Sequence, residues 1–580
     1  MSAPWWTTAV AYQVWPRSFA DSDGDGVGDL RGVLAHVDHL ADLGVDVVWL
    51  SPVYPSPQDD MGYDISDYTD VDPLFGTLAD LDALVAALHE RGMRLILDMV
   101  VNHTSDEHPW FVESRSSADN PKRDWYWWRP GRPGTVAGQD GAEPNNWGSF
   151  FSEPAWEYDA TTGEYYLHLF SRKQPDLNWE NPQVRGAVYA MLRWWLDRGV
   201  DGFRMDVINM ISKDPELPDG WAPPGERLGF GFPHFLYGPR IHHYLQEMRR
   251  EVFAGRDGAF LVVGEMPGVT VEQARLYTDP ARGEVDMVFT FEHVGLDYGK
   301  RGKYDLRPFD LRDLKASFGR WQAGLAEVGW NSLYWDNHDQ PRVVSRFGDD
   351  GEHRERSAKA LATLLHLHRG TPFVYQGEEI GMTNYPFASL DEVVDIEGVN
   401  WACSALEAGQ GRDEVLRALR ARGRDNARTP MQWDAGPQAG FTSGTPWLPV
   451  NPNHVEVNVA SQRDDPGSVL AHYRRLIDLR HTDPVVAHGD FQLLLPDDPA
   501  VYAFLRSLPG VEMLVLVNVS GRPAWARLPD ERWRDATLVL GGPDDALAAV
   551  PAGPDGSVGL QPWEQRVLRR PVDEPRRPSD

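Results

Sequence analysis

The chain has little of several things, and each scarcity excludes something. Its 580 residues include one cysteine, Cys403, so no intrachain disulfide can form, which fits a reducing compartment. Basic residues are outnumbered: 56 Lys and Arg face 87 Asp and Glu, for a net charge of −31. That balance argues against nucleic acid, whose phosphates want cations, and against anionic membranes. It suits an enzyme with a neutral substrate, and much of the acidity serves solubility. There is no apolar run of ~18 residues, so no membrane-spanning helix is expected. The opening MSAPWWTTAV has neither a basic segment nor an apolar one, so no signal peptide is expected and the protein is placed in the cytoplasm. No HExxH or cysteine cluster suggests zinc.

What the chain has is a repeating pattern. A helix-like segment ends in glycine, and a short apolar strand follows. LAHVDHLADLGVDVVWLSPV does this at Gly44, and the same happens at Gly92, Gly199, Gly329 and Gly370. Glycine just past a helix supplies a left-handed cap. The strands are apolar on both faces, as buried parallel strands must be. With AYQVWPRSF, AFLVVGEM and VDMVFTF they number eight. Eight such strands alternating with helices predict an α/β fold, a (β/α)8 barrel more than an open sheet.

Residues 105–178, rich in Trp, Asn, Pro and Gly, interrupt the rhythm after strand 3 and read as an inserted, lid-like subdomain. A second long loop, roughly 382–460, follows strand 8; long loops at the active face shape substrate entry. Beyond it, DFQLLL, AVYAFLRS and VEMLVLVNVS read as a small all-β domain. The expected division is a barrel over 1–104 and 179–488, the insertion, a C-terminal β-sandwich domain over 489–572, and a disordered tail at 573–580.

Chemistry gathers at the C-terminal ends of the strands, where such barrels build their sites. DGFRMDVIN sets Arg204 two residues before Asp206, on one face of a strand. Glu265 ends AFLVVGE and Asp339 lies in DNHDQPR. Two carboxylates ~5–5.5 Å apart can cleave a glycosidic bond with retention. Arg204 would keep Asp206 ionised, and the apolar run before Glu265 would raise its pKa. Any one of the three alone reads equally well as a cap or an ion pair; three at strand ends point to a site. His103 and His338, each after an asparagine, are uncharged donors suited to hydroxyls.

DMVVNH, GFRMDVIN, GEM and NHDQPR, in this order on a barrel, resemble the four signature regions of the α-amylase family. QPDLNWENP, KYDLRPFDL, RTPMQWD and GFTSGTPW extend the likeness to its oligo-1,6-glucosidase and α-glucosidase branch. The resemblance implies Asp206 as nucleophile, Glu265 as acid and base, and Asp339 as transition-state stabiliser. It implies that His103, Arg204, His338, Tyr63, Asp64, Phe151, Phe170, Gln174 and Arg428 surround the terminal glucose. Asp64 and Arg428 would together close the pocket floor and make the enzyme exo-acting. Val207, the residue after the nucleophile, accompanies α-1,6 preference in that branch. The implied substrate is a short oligosaccharide such as isomaltose or panose, acted on by a monomer or weak homo-oligomer without an organic cofactor. An α-1,4-preferring glucosidase, a sucrose isomerase, a trehalose synthase and a non-catalytic amylase-like binding protein are the competing readings. KYDLRPFDL stands where sucrose isomerases carry an arginine-rich RLDRD-type motif.

DSDGDGVGD, at 21–29, alternates Asp and Gly like the front of an EF-hand loop, but position twelve is Gly32 rather than Glu. Asp21, Asp23, Asp25, the Val27 carbonyl and Asp29 form a candidate structural site for Ca²⁺ or Mg²⁺, as the resembling enzymes have here.

Overall fold

The computed structural model describes residues 4–151, 154–258, 260–541 and 557–572. The eight expected strands are present: β1 (Ala11–Val14), β2 (Val47–Leu50), β3 (Arg94–Val100), β4 (Gly202–Asp206), β5 (Leu261–Glu265), β6 (Met287–Phe289), β7 (Ser332–Leu333) and β8 (Thr371–Tyr375). They pair in parallel in the order β7-β8-β1-β2-β3-β4-β5-β6. A parallel bridge between Val288 and Asn331 joins the two ends, so the sheet closes into a barrel.

Alternation along each strand divides two cores. Val47, Trp49, Ile96, Val263 and Met287 fill the barrel interior. Val48, Leu50, Leu95, Leu97 and Val262 pack outward against the helices. Both sets are buried because helices cover the sheet's outer face. The glycines singled out by the pattern all take positive φ. The helix Leu311–Gly324, however, stops five residues before Gly329, which lies in the irregular link to β7. Gly202 is a matter of space: a Cβ there would sit 1.9 Å from the Leu261 carbonyl oxygen of the neighbouring strand.

Between β3 and β4, three short strands (Trp128–Arg129, Glu164–Leu167 and Trp156–Asp159) form an antiparallel sheet. A helix the sequence reading did not expect, Pro109–Ser116, precedes them, with His108 Nδ1 capping the Trp110 N–H. The segment after β8, read as loop, contains the helices Ile396–Glu407 and Arg412–Arg422. Val415, Ala418 and Leu419 are the buried face of the second. At the C-terminal end, a five-stranded antiparallel sheet faces a two-stranded one, Ala524–Arg527 with Ser557–Leu560. Val501, Leu514, Trp533, Val558 and Leu568 pack between them. The tail at 573–580 lies outside the described residues.

Candidate active site

Arg204 stands in mid-strand on β4, over the ring of Trp49 at 5.1 Å, and closes the top of the barrel interior. Register places it opposite Asp98 on β3, and it places Val100 opposite Asp206. The guanidinium serves three carboxylates: Nη1 lies 2.8 Å from Asp98 and 2.7 Å from Asp206, and Nη2 lies 2.6 Å from Glu265. Asp98 also accepts from Tyr63 Oη at 2.8 Å and from Trp49 Nε1 at 3.2 Å.

Burial pushes Asp206 up to about 7, although Arg204 pulls it back. Burial pushes Glu265 up further, to about 8, with Arg204 again opposing and the charges of Asp206 and Asp339 adding to the rise. Glu265 therefore holds a proton at a pH where Asp206 has begun to lose its own. Asp339 behaves oppositely. Burial raises it, but His338, Arg424, Arg428 and Lys303 together hold it well below the usual carboxylate range. His338 Nε2 lies 3.3 Å from Asp339, and Gln13 Nε2 lies 2.8 Å from His338 Nδ1. Burial lowers His338 to about 3 and His103 to about 4, so both are neutral at neutral pH. The His338, Trp15 and Tyr63 rings are near-parallel, with His338 5.1 Å from each of the other two and those two 6.5 Å apart.

Val207 leaves β4 with φ 33° and ψ 41°, left-handed geometry that β-branched residues rarely adopt. Its N–H donates to Glu265 Oε2 at 3.1 Å. Its side chain joins an apolar cluster with Met210, Leu217, Phe235 and the partly buried Phe150 and Phe170.

Asp206, Glu265 and Asp339 open on one pocket of ≈300 Å³, with Arg204, His338, Gln174 and Arg428 behind its wall rather than on it. Of the residues expected there, Tyr63, His103, Phe151, Phe170, Asp206, Val207, Glu265 and Asp339 are on its wall. Gln174 reaches Asp60 at 3.1 Å and His103 at 3.2 Å. Asp64 is not on the wall and does not pair with Arg428. It is fully buried and accepts from Ser56 Oγ and from the N–H groups of Asp59 and Asp60. These bonds fold the loop that aims Asp60 inward. Asp60 and Arg424 are the pair that closes the pocket, at 3.1 Å. Arg424 also reaches Asp339 at 3.2 Å and Asp395 at 2.9 Å. Arg428 braces the same two carboxylates, at 2.9 and 2.8 Å. The missed signal was the four-residue spacing of Arg424 and Arg428 in RDNAR, which places both on one helix face.

The α-amylase catalytic-domain model matches residues 13–489. The chain belongs to the α-amylase family. It is 54% identical to an oligo-1,6-glucosidase of Parageobacillus thermoglucosidasius over 98% of this chain and 99% of that protein. Among solved structures it is similar to Bacillus licheniformis trehalose-6-phosphate hydrolase (TM-score 0.91, 43% identity) and to a trehalulose synthase (0.92, 45%). Each comparison covers 98% of this chain and 100% of the other. This α-amylase-family protein is a glycoside hydrolase, an α-glucosidase. No helix among its described residues is long and apolar enough to cross a membrane.

In the Asp21–Asp29 loop, carboxylate oxygens of Asp21, Asp23 and Asp29 lie within 4.8 Å of one another. Asp25 stands outside this group and accepts from the Val27 N–H at 2.8 Å.

Proposed function

We propose that the enzyme releases the non-reducing-end glucose of short α-1,6-glucosides, such as isomaltose, isomalto-oligosaccharides and panose, with retention of configuration. The observation that carries the reading is the single guanidinium shared by Asp206 and Glu265. Two carboxylates bridged this way suit the ~5–5.5 Å separation of a retaining pair rather than the ~6.5–9.5 Å of an inverting one. Protonated Glu265 gives its proton to the glycosidic oxygen while the Asp206 carboxylate attacks the anomeric carbon, and the leaving sugar departs. Glu265, now a carboxylate, takes a proton from water. The resulting hydroxide attacks the anomeric carbon and displaces Asp206. Asp339, an anion throughout, binds hydroxyls of the distorted ring and favours the oxocarbenium-like transition state. Asp60 and Arg424 hold the far end of the terminal glucose, which supports exo action.

Val207 supports the linkage. A branched side chain held in strained backbone beside Glu265 crowds an α-1,4-linked second sugar. The extra rotatable bond of an α-1,6 link swings clear. A broad or α-1,4-preferring glucosidase with transglucosylation is the second reading, and the isomerising neighbour favours keeping sucrose among the substrates tested. A phosphorylated aglycone suits the site poorly, because the wall cations Lys303 and Arg424 are taken by carboxylates, Lys303 by Glu397 at 2.7 Å and Arg424 by Asp60 at 3.1 Å. We place the action in the cytoplasm, which the free, exposed Cys403 suits. Asp21, Asp23 and Asp29 offer the hard oxygen donors of a structural Ca²⁺ or Mg²⁺ site.

Initial rates on isomaltose, maltose, sucrose, trehalose and trehalose 6-phosphate, with the released anomer followed by proton NMR, test this. Isomaltose should lead and α-glucose should appear first. First-formed β-glucose would sink the retaining mechanism. Val207→Thr should lower the isomaltose-to-maltose ratio of kcat/KM, and an unchanged ratio would remove Val207 from the account.

A further inference from the structure

The largest exposed apolar residues of the inserted loops are not scattered. Trp221, Phe230 and Phe232 are 68%, 53% and 41% exposed. Isolated apolar residues on a surface need no explanation, but a contiguous patch does. The three rings form an offset series: Trp221 to Phe230 at 6.1 Å and 12°, then Phe230 to Phe232 at 6.1 Å and 21°. Near-parallel rings at that separation are displaced sideways, like stepped tiles. The series continues inward from Phe232 to Phe150 at 5.6 Å and from Phe150 to Phe170 at 5.0 Å and 14°. Phe150 and Phe170 are walls of the catalytic pocket. An unbroken line of aromatic rings therefore runs from solvent to the pocket that holds Asp206 and Glu265, and its inner end packs with Val207.

The line is anchored in place. Trp221 and Phe230 face each other across a bridge, with the Phe230 N–H donating to the Trp221 carbonyl at 2.7 Å. The adjoining Gly229 N–H donates to the Asn146 carbonyl at 2.7 Å, which fastens the loop after β4 to the insertion after β3. Gly220 and Gly231 leave no room for a side chain: a Cβ would meet the Phe230 carbonyl oxygen at 2.4 Å and the Trp147 ring at 2.7 Å. Backbone is thus packed tightly beneath rings that remain open to water.

We propose that these rings are an extended aglycone platform, on which the second and later glucose units of an oligosaccharide lie with their apolar faces against successive aromatic steps. Continuity with the pocket argues for the substrate chain rather than a protein partner. Successive steps are spaced on the order of a hexose unit, and the rings offer flat apolar faces without fixed charge. The proposal rests on the α-glucosidase reading and extends it to chain length.

The test compares Trp221→Ala and Trp221→Ala/Phe230→Ala with the wild type on p-nitrophenyl α-glucoside and on isomaltose through isomaltotetraose. Thermal midpoints confirm folding. The loss in kcat/KM should grow with chain length, reaching about 5–10-fold on isomaltotetraose, the scale of one or two lost aromatic contacts. If the wild type acts only on maltose and its homologues, the α-1,6 reading fails, and the same variants are read on maltotriose and maltotetraose. A loss that is equal at every chain length, or absent, in whichever series the wild type cleaves overturns the platform. So does an unchanged chain-length profile with altered mass by light scattering, which makes the patch a protein interface.

Discussion

Replacing Arg204 asks whether its charge or its shape matters. The guanidinium lies within 2.6–2.8 Å of Asp98, Asp206 and Glu265. An opposite charge this close lowers a carboxyl pKa by about 1–3 units. Arg204→Gln should therefore move Asp206 from about 7 upward by that amount. At pH 7 the ionised fraction would fall from about one half to between about one tenth and one thousandth, a loss of about 1–3.7 kcal/mol in reactive population. The acid limb of the kcat/KM profile reports this group, because the nucleophile must be ionised; the alkaline limb reports Glu265, which must be protonated. For the wild type the limbs should fall near the values of the coupled pair and give a narrow optimum. In Arg204→Gln the acid limb should shift alkaline. Arg204→Lys keeps the charge but lacks the fork, so it should leave the limb within about half a unit and lower kcat instead. The assay is kcat/KM on p-nitrophenyl α-glucoside across pH 5–10 (a range chosen to span about two units on either side of both groups), with thermal midpoints to confirm folding. An acid limb that stays put in Arg204→Gln would refute the claim that this charge keeps Asp206 ionised.

Asp206→Asn should abolish turnover yet stabilise the fold at alkaline pH. Its folded pKa is raised above the unfolded value, so the carboxylate costs stability above about pH 7, and the cost fades as pH falls toward the unfolded pKa. A gain of about 1–3 kcal/mol at pH 8–9 that vanishes near pH 4, followed by thermal midpoint, is expected. Asp60→Asn should cost about 10–100-fold in kcat/KM on every α-glucoside whatever its linkage, the scale of a weakened charged hydrogen bond; a linkage-selective loss would place Asp60 on the aglycone side. EDTA should lower the thermal midpoint without changing kcat, by the equivalent of about 2–3 kcal/mol if the ion is near 100 times its Kd, and Asp23→Ala should remove that sensitivity. An EDTA effect that persists in Asp23→Ala would place the ion elsewhere.

The barrel was legible because a parallel strand buried on both faces leaves a continuous apolar word, and because helix-ending glycines separate those words. The site carboxylates were legible for the same reason: Asp206, Glu265 and Asp339 all stand in the short polar clusters where such words end. The pocket's far end was not. Asp64 and Asp60 are both acidic residues of one irregular loop, and nothing periodic says which turns inward. The structure decides through the Ser56 hydroxyl and the Asp59 and Asp60 N–H groups that consume Asp64. Arg424 was hidden differently. Its segment was read as loop, although the buried Val415, Ala418 and Leu419 carry helical spacing up to its edge. The aromatic line was invisible because its rings come from two loops that meet only in the folded chain.

Asp206 and Val207 divide one problem between adjacent positions. Asp206 must stay on the strand so that Arg204, two residues back on the same face, can reach it. The chain must then turn at once, or the next side chain would follow the strand outward and leave the pocket. Left-handed geometry at Val207 makes that turn, at the order of 1–3 kcal/mol of strain for a β-branched residue. Glycine would relieve the strain but leave that stretch of the pocket wall without a side chain. The retained valine is held by its N–H bond to Glu265 and by the apolar cluster it joins. The same bond orients the Glu265 carboxyl group. The Val207 side chain and the Glu265 carboxyl group are therefore mechanically joined at this residue, and on the proposed function a substitution that widens the aglycone side should also disturb the carboxyl group that protonates the leaving oxygen.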